Sequence, residues 1–514
     1  MNRWATVATA VAAVGVLALP ALGLSRLADA AGTTASRGTV PTSTTALSLD
    51  PAATLPASSI VPGPSSTVAA TTVQVTVPAQ GRVVTPVLST RRLPGLVADK
   101  PPTESLLKAL KQIAPDLKGV GCLSVMAGSE VYATSGDVAL IPGSNQKLLV
   151  AAVALERLGE QARFTTSLVS ANQATDGVIT GDLFLVGGGD PMLSTQQYLA
   201  TAARMFRFVP TPATSLEDLV DALAEAGITK ITGRIVGDDT RYDSERAVPT
   251  WSPDYRANLE VAPLSALLLD DGIANLTNLR QTNDPATHAA NVLTTLLKAK
   301  GIAVDGEPTS GKAPDDGLEV ASVSSAPLAE ILPDLLRDSD NTTAELLLKE
   351  LAVDAGVVPG TRVAGLAAVR EQLEQWGIPL AGLNMVDASG LDRANRVSCR
   401  TLAHLLARYP VEHDLVQSLA IAGRSGTLTK SFVGNPMENR LFGKTGTLTG
   451  VKALSGVVPE DEGPPLAFSL LLNHSKADTL APKLWDRLGK ALNQYPTKVD
   501  LGPYGPLPPV TAVG

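Results

Sequence analysis

Ser144 and Lys147 stand three residues apart in "PGSNQKLLV", where an apolar segment begins that reads as a helix. Residues i and i+3 share a helix face, so the lysine amine can approach the serine hydroxyl. Burial and neighbouring cations lower a lysine pKa, and a neutral amine can take a hydroxyl proton. The positive helix N-terminus favours the negative charge that then develops. Spacing alone is a weak signal, because Ser105 and Lys108 share it within an ordinary amphipathic segment. Two further groups follow in order. Ser339-Asp340-Asn341 lies between two helical segments, where a turn can point Ser339 and Asn341 into a cleft. Lys444-Thr445-Gly446, in "LFGKTGTLTG", puts a cation and a small residue on a strand that can edge the same cleft. A second S-x-N, Ser170-Ala171-Asn172, follows the Ser144 helix too closely to form a separate wall.

Other chemistries fit poorly. Gly443-Lys444-Thr445 could end a phosphate-binding loop, but that motif needs glycine where Glu438 stands. "GEPTSGKA" (306–313) has the glycines and Lys312, yet Ala313 cannot ligate magnesium and Pro314 blocks the helix start. "LVGGGDP" (185–191) is like a lipase oxyanion loop, but no G-x-S-x-G elbow occurs, so a tight turn is its simpler role. The four histidines are scattered, with no metal-binding grouping, so neither a metal nor another cofactor is expected. The net charge is −8 with no basic run, a poor match to nucleic acid.

The 514 residues exceed one ordinary domain. Residues 1–30 carry Arg3, an apolar run from Trp4 to Leu24, and Ala28-Asp29-Ala30. A cleaved signal peptide and a retained membrane anchor both fit, and either exports the rest to the periplasm, cell wall or exterior. This segment is the chain's one expected membrane contact. Residues 31–94 are rich in Thr, Ser, Pro and Ala and read as a disordered linker. Residues 497–514 are a Pro/Gly-rich tail. Between them the pattern is α/β, interrupted by a large α+β region at 161–324 of short strands and helices. Cys122 and Cys399 are the only cysteines. Export allows a disulfide, while two separate buried thiols is the simpler reading.

Taken together, S-x-x-K, S-D-N and K-T-G form the set of active-site-serine penicillin-binding proteins and β-lactamases. The chain resembles one branch of them, the D-alanyl-D-alanine carboxypeptidases/endopeptidases of peptidase family S13, class C low-molecular-mass penicillin-binding proteins of the penicillin-binding-protein-4 type. Nearly 200 residues separate Lys147 from Ser339, as in that family, and "GGGDPML", "DASGLDRANRVS" and "AGRSGTLTKSF" match further segments of it. Ala388, Met192 and Arg424-Ser425 depart from its pattern.

The resemblance implies a β-lactamase/transpeptidase-like domain, an antiparallel sheet flanked by helices, built from 95–160 and 325–496. It implies hydrolysis of D-Ala-D-Ala or of a D-amino-acid cross-link in peptidoglycan stem peptides, and acylation by β-lactams. Ser144 would be the nucleophile, Lys147 its base, and Ser339 the relay to the leaving amine. Asn341 would hold the substrate amide, Lys444 and Thr445 the terminal carboxylate, and Gly446 would let substrate approach closely. The N–H groups of Ser144 and Thr447 would form the oxyanion hole. A diaminopimelate-selecting pair would fall at Asp238 and Arg393, for which a turn cap and a surface arginine are the plain alternatives. A non-catalytic penicillin sensor or scaffold would acylate without peptide turnover, and a β-lactamase would release hydrolysed penicillin rapidly.

Overall fold

The computed structural model describes residues 103–205, 210–461 and 463–496. The expected signal or anchor, linker and tail lie outside these residues. The described chain starts with helix α1 (Glu104–Lys111) and the hairpin β1 (Gly121–Ala127) and β2 (Ser129–Thr134). Helix α2 (Lys147–Leu158) follows. Next come β3 (Thr165–Ser170), β4 (Leu183–Val186), β5 (Ile235–Asp238), α3 (Pro285–Lys300), β6 (Thr309–Ser310) and β7 (Leu318–Ser324). Helices α4 (Leu328–Leu336), α5 (Asn341–Asp354), α6 (Arg362–Gln375) and α7 (Cys399–Leu406) precede β8 (Ala420–Ile421). The chain closes with β9 (Phe442–Leu448), β10 (Val451–Val458), β11 (Leu466–Asn473) and α8 (Ala477–Leu492).

Six strands form one antiparallel sheet in the order β8-β9-β10-β11-β1-β2, so the last strand pairs with the first. Successive strand side chains point to opposite faces. Accordingly Leu471 and Ala453 join the core with α2, α4 and α7, while Leu470, Leu472 and Leu454 join the core with α1 and α8. Helix α2 is buried from Lys147 to Leu155, which explains why it is apolar nearly all round. Residues 165–324 build a second, mixed sheet in the order β6-β5-β4-β3-β7, backed by α3 around its own core. Ion pairs tie this region to α5 and α6: Arg241 to Glu350, Lys349 to Asp243, and Arg362 to Glu245. Among the described residues no helix is long and apolar enough to cross a membrane.

The cysteines correct the simpler sequence reading. Cys122 in β1 and Cys399 at the start of α7 are bonded, with their Cα atoms 5.8 Å apart. Both lie in the core that α7 shares with the sheet, a proximity that a sequence separation of 277 concealed. Closing so long a loop restricts the unfolded chain. A Cys122→Ser/Cys399→Ser double variant is therefore expected to lose about 2 to 5 kcal/mol. The urea midpoint measures this, and an unchanged midpoint would contradict it.

Candidate active site

Gly143–Gln146 form one tight helical turn that runs into α2 and carries Ser144. The turn lies against β9. A Cβ on Gly143 would come 3.1 Å from Thr447 N, and one on Gly446 would come 2.4 Å from the Pro142 carbonyl oxygen. Asn145 and Gln146 anchor the turn on two sides. Asn145 Nδ2 donates to Ser455 Oγ at 2.7 Å, and Gln146 Nε2 to the Asp387 carbonyl at 3.4 Å. Ser455 in turn donates to Ser469 Oγ at 2.8 Å. Strand register places Lys444, Ser455, Ser469 and Ser124 directly opposite one another on β9, β10, β11 and β1. Directly opposed residues share a sheet face, so the turn docks on a buried polar row. The hydroxyls satisfy groups that burial would otherwise leave unpaired.

Ser339 joins α4 to α5 with φ +73°, in the left-handed region, which costs a non-glycine residue about 1 to 2 kcal/mol. Its neighbour holds it there: Asp340 N–H donates to the Asp334 carbonyl, and the Asp340 carboxylate caps α5 by accepting from Thr343 N–H at 2.6 Å. Ser339 Oγ thereby accepts from Lys444 Nζ at 2.7 Å, and Asn341 Oδ1 accepts from Lys147 Nζ at 2.6 Å. Lys147 Nζ also reaches Ser144 Oγ at 3.1 Å and the Ser389 carbonyl at 2.7 Å. Ser144, Lys147, Ser339, Asn341 and Lys444 thus form one cluster. The Asp387–Gly390 loop closes it from below. Gly390 has φ +85°, and a Cβ there would sit 1.9 Å from the Gly143 carbonyl oxygen.

Lys147 and Lys444 are both 0% exposed. Burial pushes Lys147 down to about 8, against the opposing pull of Asp340, Asp387 and Glu345. Burial also pushes Lys444 well down, helped by the charge of Lys147 and opposed by Asp338. As a neutral amine, Lys147 has two N–H groups and one lone pair. Carbonyl and carboxamide oxygens only accept. The two N–H groups therefore go to Asn341 and Ser389, and the lone pair faces the hydroxyl of Ser144. That arrangement can withdraw a proton from serine and prepare it for attack on a carbonyl.

A sequence profile of the D-Ala-D-Ala carboxypeptidase 3 (S13) family matches residues 103–282 and 273–485. The chain belongs to the S13 D-Ala-D-Ala carboxypeptidase family. A D-alanyl-D-alanine carboxypeptidase of Actinomadura sp. is 30% identical over 460 residues, 74% of this chain and 81% of that protein. A carboxypeptidase of Mycobacterium tuberculosis is 32% identical over 414 residues, 76% of this chain and 85% of that one. The crystal structure of penicillin-binding protein 4 from Haemophilus influenzae covers 75% of this chain and 99% of its own, at 22% identity and a TM-score of 0.63. The α/β fold is therefore that of the penicillin-binding proteins.

The other expected S13 positions divide. Thr445 is nearly buried, Gly446 is buried and Thr447 is exposed on β9, with Thr447 Oγ1 accepting from Lys452 Nζ at 3.3 Å. Arg393 is exposed and donates to the Thr449 carbonyl at 3.0 Å, which sets its guanidinium at the outer end of β9. Asp238 is not brought to the cluster by any described contact. It is 4% exposed, and its two carboxylate oxygens accept from Thr240 N–H at 2.9 Å and Ala313 N–H at 2.7 Å. Its carboxylate thus holds the backbone at 240 and 313.

Segment 250–262 was missed as a wall of the site. Trp251 Nε1 donates to Asp387 Oδ2 at 2.8 Å, Ala262 N–H donates to Thr342 Oγ1 at 3.0 Å, and the Glu260 carbonyl accepts from Asn341 Nδ2 at 2.7 Å. Between this segment and the Ser339 turn lies a cavity of about 570 Å³, which Asn258, Glu260 and Asp271 help to line. No motif marks the segment. Its apolar and aromatic residues read simply as part of the insertion.

Proposed function

We propose that this S13 chain is an exported serine D-Ala-D-Ala carboxypeptidase, with endopeptidase activity on cross-links, acting on peptidoglycan stem peptides through an acyl-enzyme. The observation that carries this reading is the fully buried Lys147 amine, 3.1 Å from Ser144 Oγ, with two pure acceptors taking its other bonds. Ser144 Oγ attacks the carbonyl carbon of the penultimate D-alanine, and its proton passes to Lys147. The peptide bond breaks, the leaving amine takes the Ser339 hydroxyl proton, and the proton held by Lys147 replaces it. Ser339 can donate because its oxygen already accepts from Lys444, which leaves its own O–H directed elsewhere. Water then hydrolyses the Ser144 ester with the same groups in reverse order.

The Ser144 and Thr447 N–H groups, brought close by the packing of Gly143 on β9, supply the oxyanion hole. Each such donor contributes about 3 to 4 kcal/mol to the transition state. Lys444 is buried on Ser339, and the substrate carboxylate binds along β9 at Lys444 and Thr445. Asn341 orients the substrate amide, and Gly446 leaves room for the peptide backbone. The cavity beside Ser339 is of a size that takes a peptide stem, and we assign the exposed Arg393 to a stem carboxylate. We assign residues 95–160 and 325–496 to the catalytic domain, 161–324 to the insertion, and residues 1–30 to export, cleaved or retained as an anchor.

Ser144→Ala is expected to lower D-alanine release from a pentapeptide stem mimic by at least about 10⁴-fold. Chromatographic assay of free D-alanine measures this, and equal release by wild type and variant would overturn the reading.

A further inference from the structure

Helix α5 approaches Lys147 at two places one turn apart. Asn341 does so directly, through Oδ1. Glu345 stands four residues on, and residues i and i+4 share a helix face. Its side chain is 1% exposed, and its Oε1 accepts from the backbone N–H groups of both Ala388 (3.0 Å) and Ser389 (2.8 Å). Ser389 is the residue whose carbonyl accepts from Lys147 Nζ. The rest of the loop is tied by Asp387, which accepts from Gly390 N–H, Asp392 N–H and Asn395 Nδ2. Gly390 N–H shares a planar peptide with the Ser389 carbonyl, so Asp387 holds that unit from its far side, and Glu345 holds the two peptides that lead into it.

We propose that Glu345 is a positioning residue for proton transfer: by pinning the Ala388 and Ser389 amides it fixes the approach of the loop to the peptide that Asp387 holds at Gly390, and the two together aim the Ser389 carbonyl at Lys147 and so turn the amine's lone pair toward Ser144. The inference rests on the assignment of Ser144 and Lys147 given above. Without the Ser389 acceptor, one N–H of the amine has no fixed partner, and the lone pair can swing away from the serine hydroxyl. A displacement of this kind, about 1 Å, is enough to slow a proton transfer by about two orders of magnitude.

Burial pushes the Glu345 carboxyl up to about 8, so a neutral acceptor at this position serves the same end. Glutamine offers a carbonyl oxygen on a side chain of the same length, whereas alanine offers nothing. Charged groups facing Lys147 come from α5 (Asp340, Glu345), from the loop (Asp387) and from β9 (Lys444). Removing an acceptor from this set disfavours the ammonium, so the alanine change moves the amine's titration to lower pH.

The test is the rate of covalent labelling by a fluorescent penicillin, measured from pH 5 to 10 on the full chain, for wild type, Glu345→Gln, Glu345→Ala and Ser144→Ala. Glu345→Ala is expected to label about 10- to 100-fold more slowly at the high-pH plateau, with its acid limb displaced to lower pH. Glu345→Gln is expected to stay within about threefold of wild type, since it keeps the acceptor. Three results would overturn the proposal: an alanine variant that labels at the wild-type rate, a rate loss that merely tracks the folded fraction with the acid limb unmoved, or a glutamine variant as slow as alanine. Ser144→Ala separates this proposal from its foundation, because labelling that survives it overturns the catalytic assignment itself.

Discussion

Lys147→Met is expected to acylate about 10²- to 10⁴-fold more slowly than wild type, the usual contribution of a placed general base. The wild-type rate should rise with pH and level off above about 8, because the competent form of Lys147 is the neutral amine and burial sets its titration there. In the methionine variant that limb disappears. The fold is expected to persist. Methionine fills nearly the same volume, and removing a buried cation offsets part of the loss of hydrogen bonds to Asn341 and Ser389. Stopped-flow acylation across pH, together with a thermal unfolding curve, checks both halves. A methionine variant within tenfold of wild type, still rising through pH 8, would mean that another group takes the Ser144 proton.

Gly390→Ala is expected to cut acylation about 10²-fold although residue 390 touches no substrate. Two causes act together. A φ of +85° is unfavourable for alanine, and the new methyl would sit 1.9 Å from the Gly143 carbonyl oxygen. Backbone meets backbone there, so no side chain can rotate out of the way. Either the Ser144 turn or the loop that carries the Ser389 carbonyl must shift, and each shift spoils the Lys147 geometry. Acylation kinetics at pH 8 measure the effect, and a rate within threefold of wild type would show that the packing is looser than the distances state.

The groups proposed to do chemistry could be picked out of the sequence because each is tied to a local element. Ser144 lies in the turn that leads into α2 at Lys147, Ser339 precedes α5 and Asn341 begins it, and Lys444 lies on a strand whose hairpin partner follows at once. What supports those groups was not legible. Glu345 acts on Ser389, 44 residues away, Asn145 on Ser455, 310 residues away, and Cys122 on Cys399 across 277. Nothing in the short-range spacing of these residues distinguishes them from core filling. Glu345 did carry one usable signal: an acid one turn beyond Asn341 on a helix that buries eleven consecutive residues, Thr342 to Ala352, needs a partner. Asp238 shows the limit of a local pattern, which does not reveal that the carboxylate also accepts from the backbone at 240 and 313. The insertion contributed most that was unforeseen, since Trp251 and Glu260 meet the site only through the fold.

The central claim is that Ser144 is the nucleophile. Peptide mapping by mass spectrometry after brief exposure to benzylpenicillin tests it most directly. The account predicts a single penicilloyl adduct, on the peptide that contains Ser144, absent from Ser144→Ala and slowed in Lys147→Met. An adduct on any other serine, or one that persists in Ser144→Ala, would contradict it.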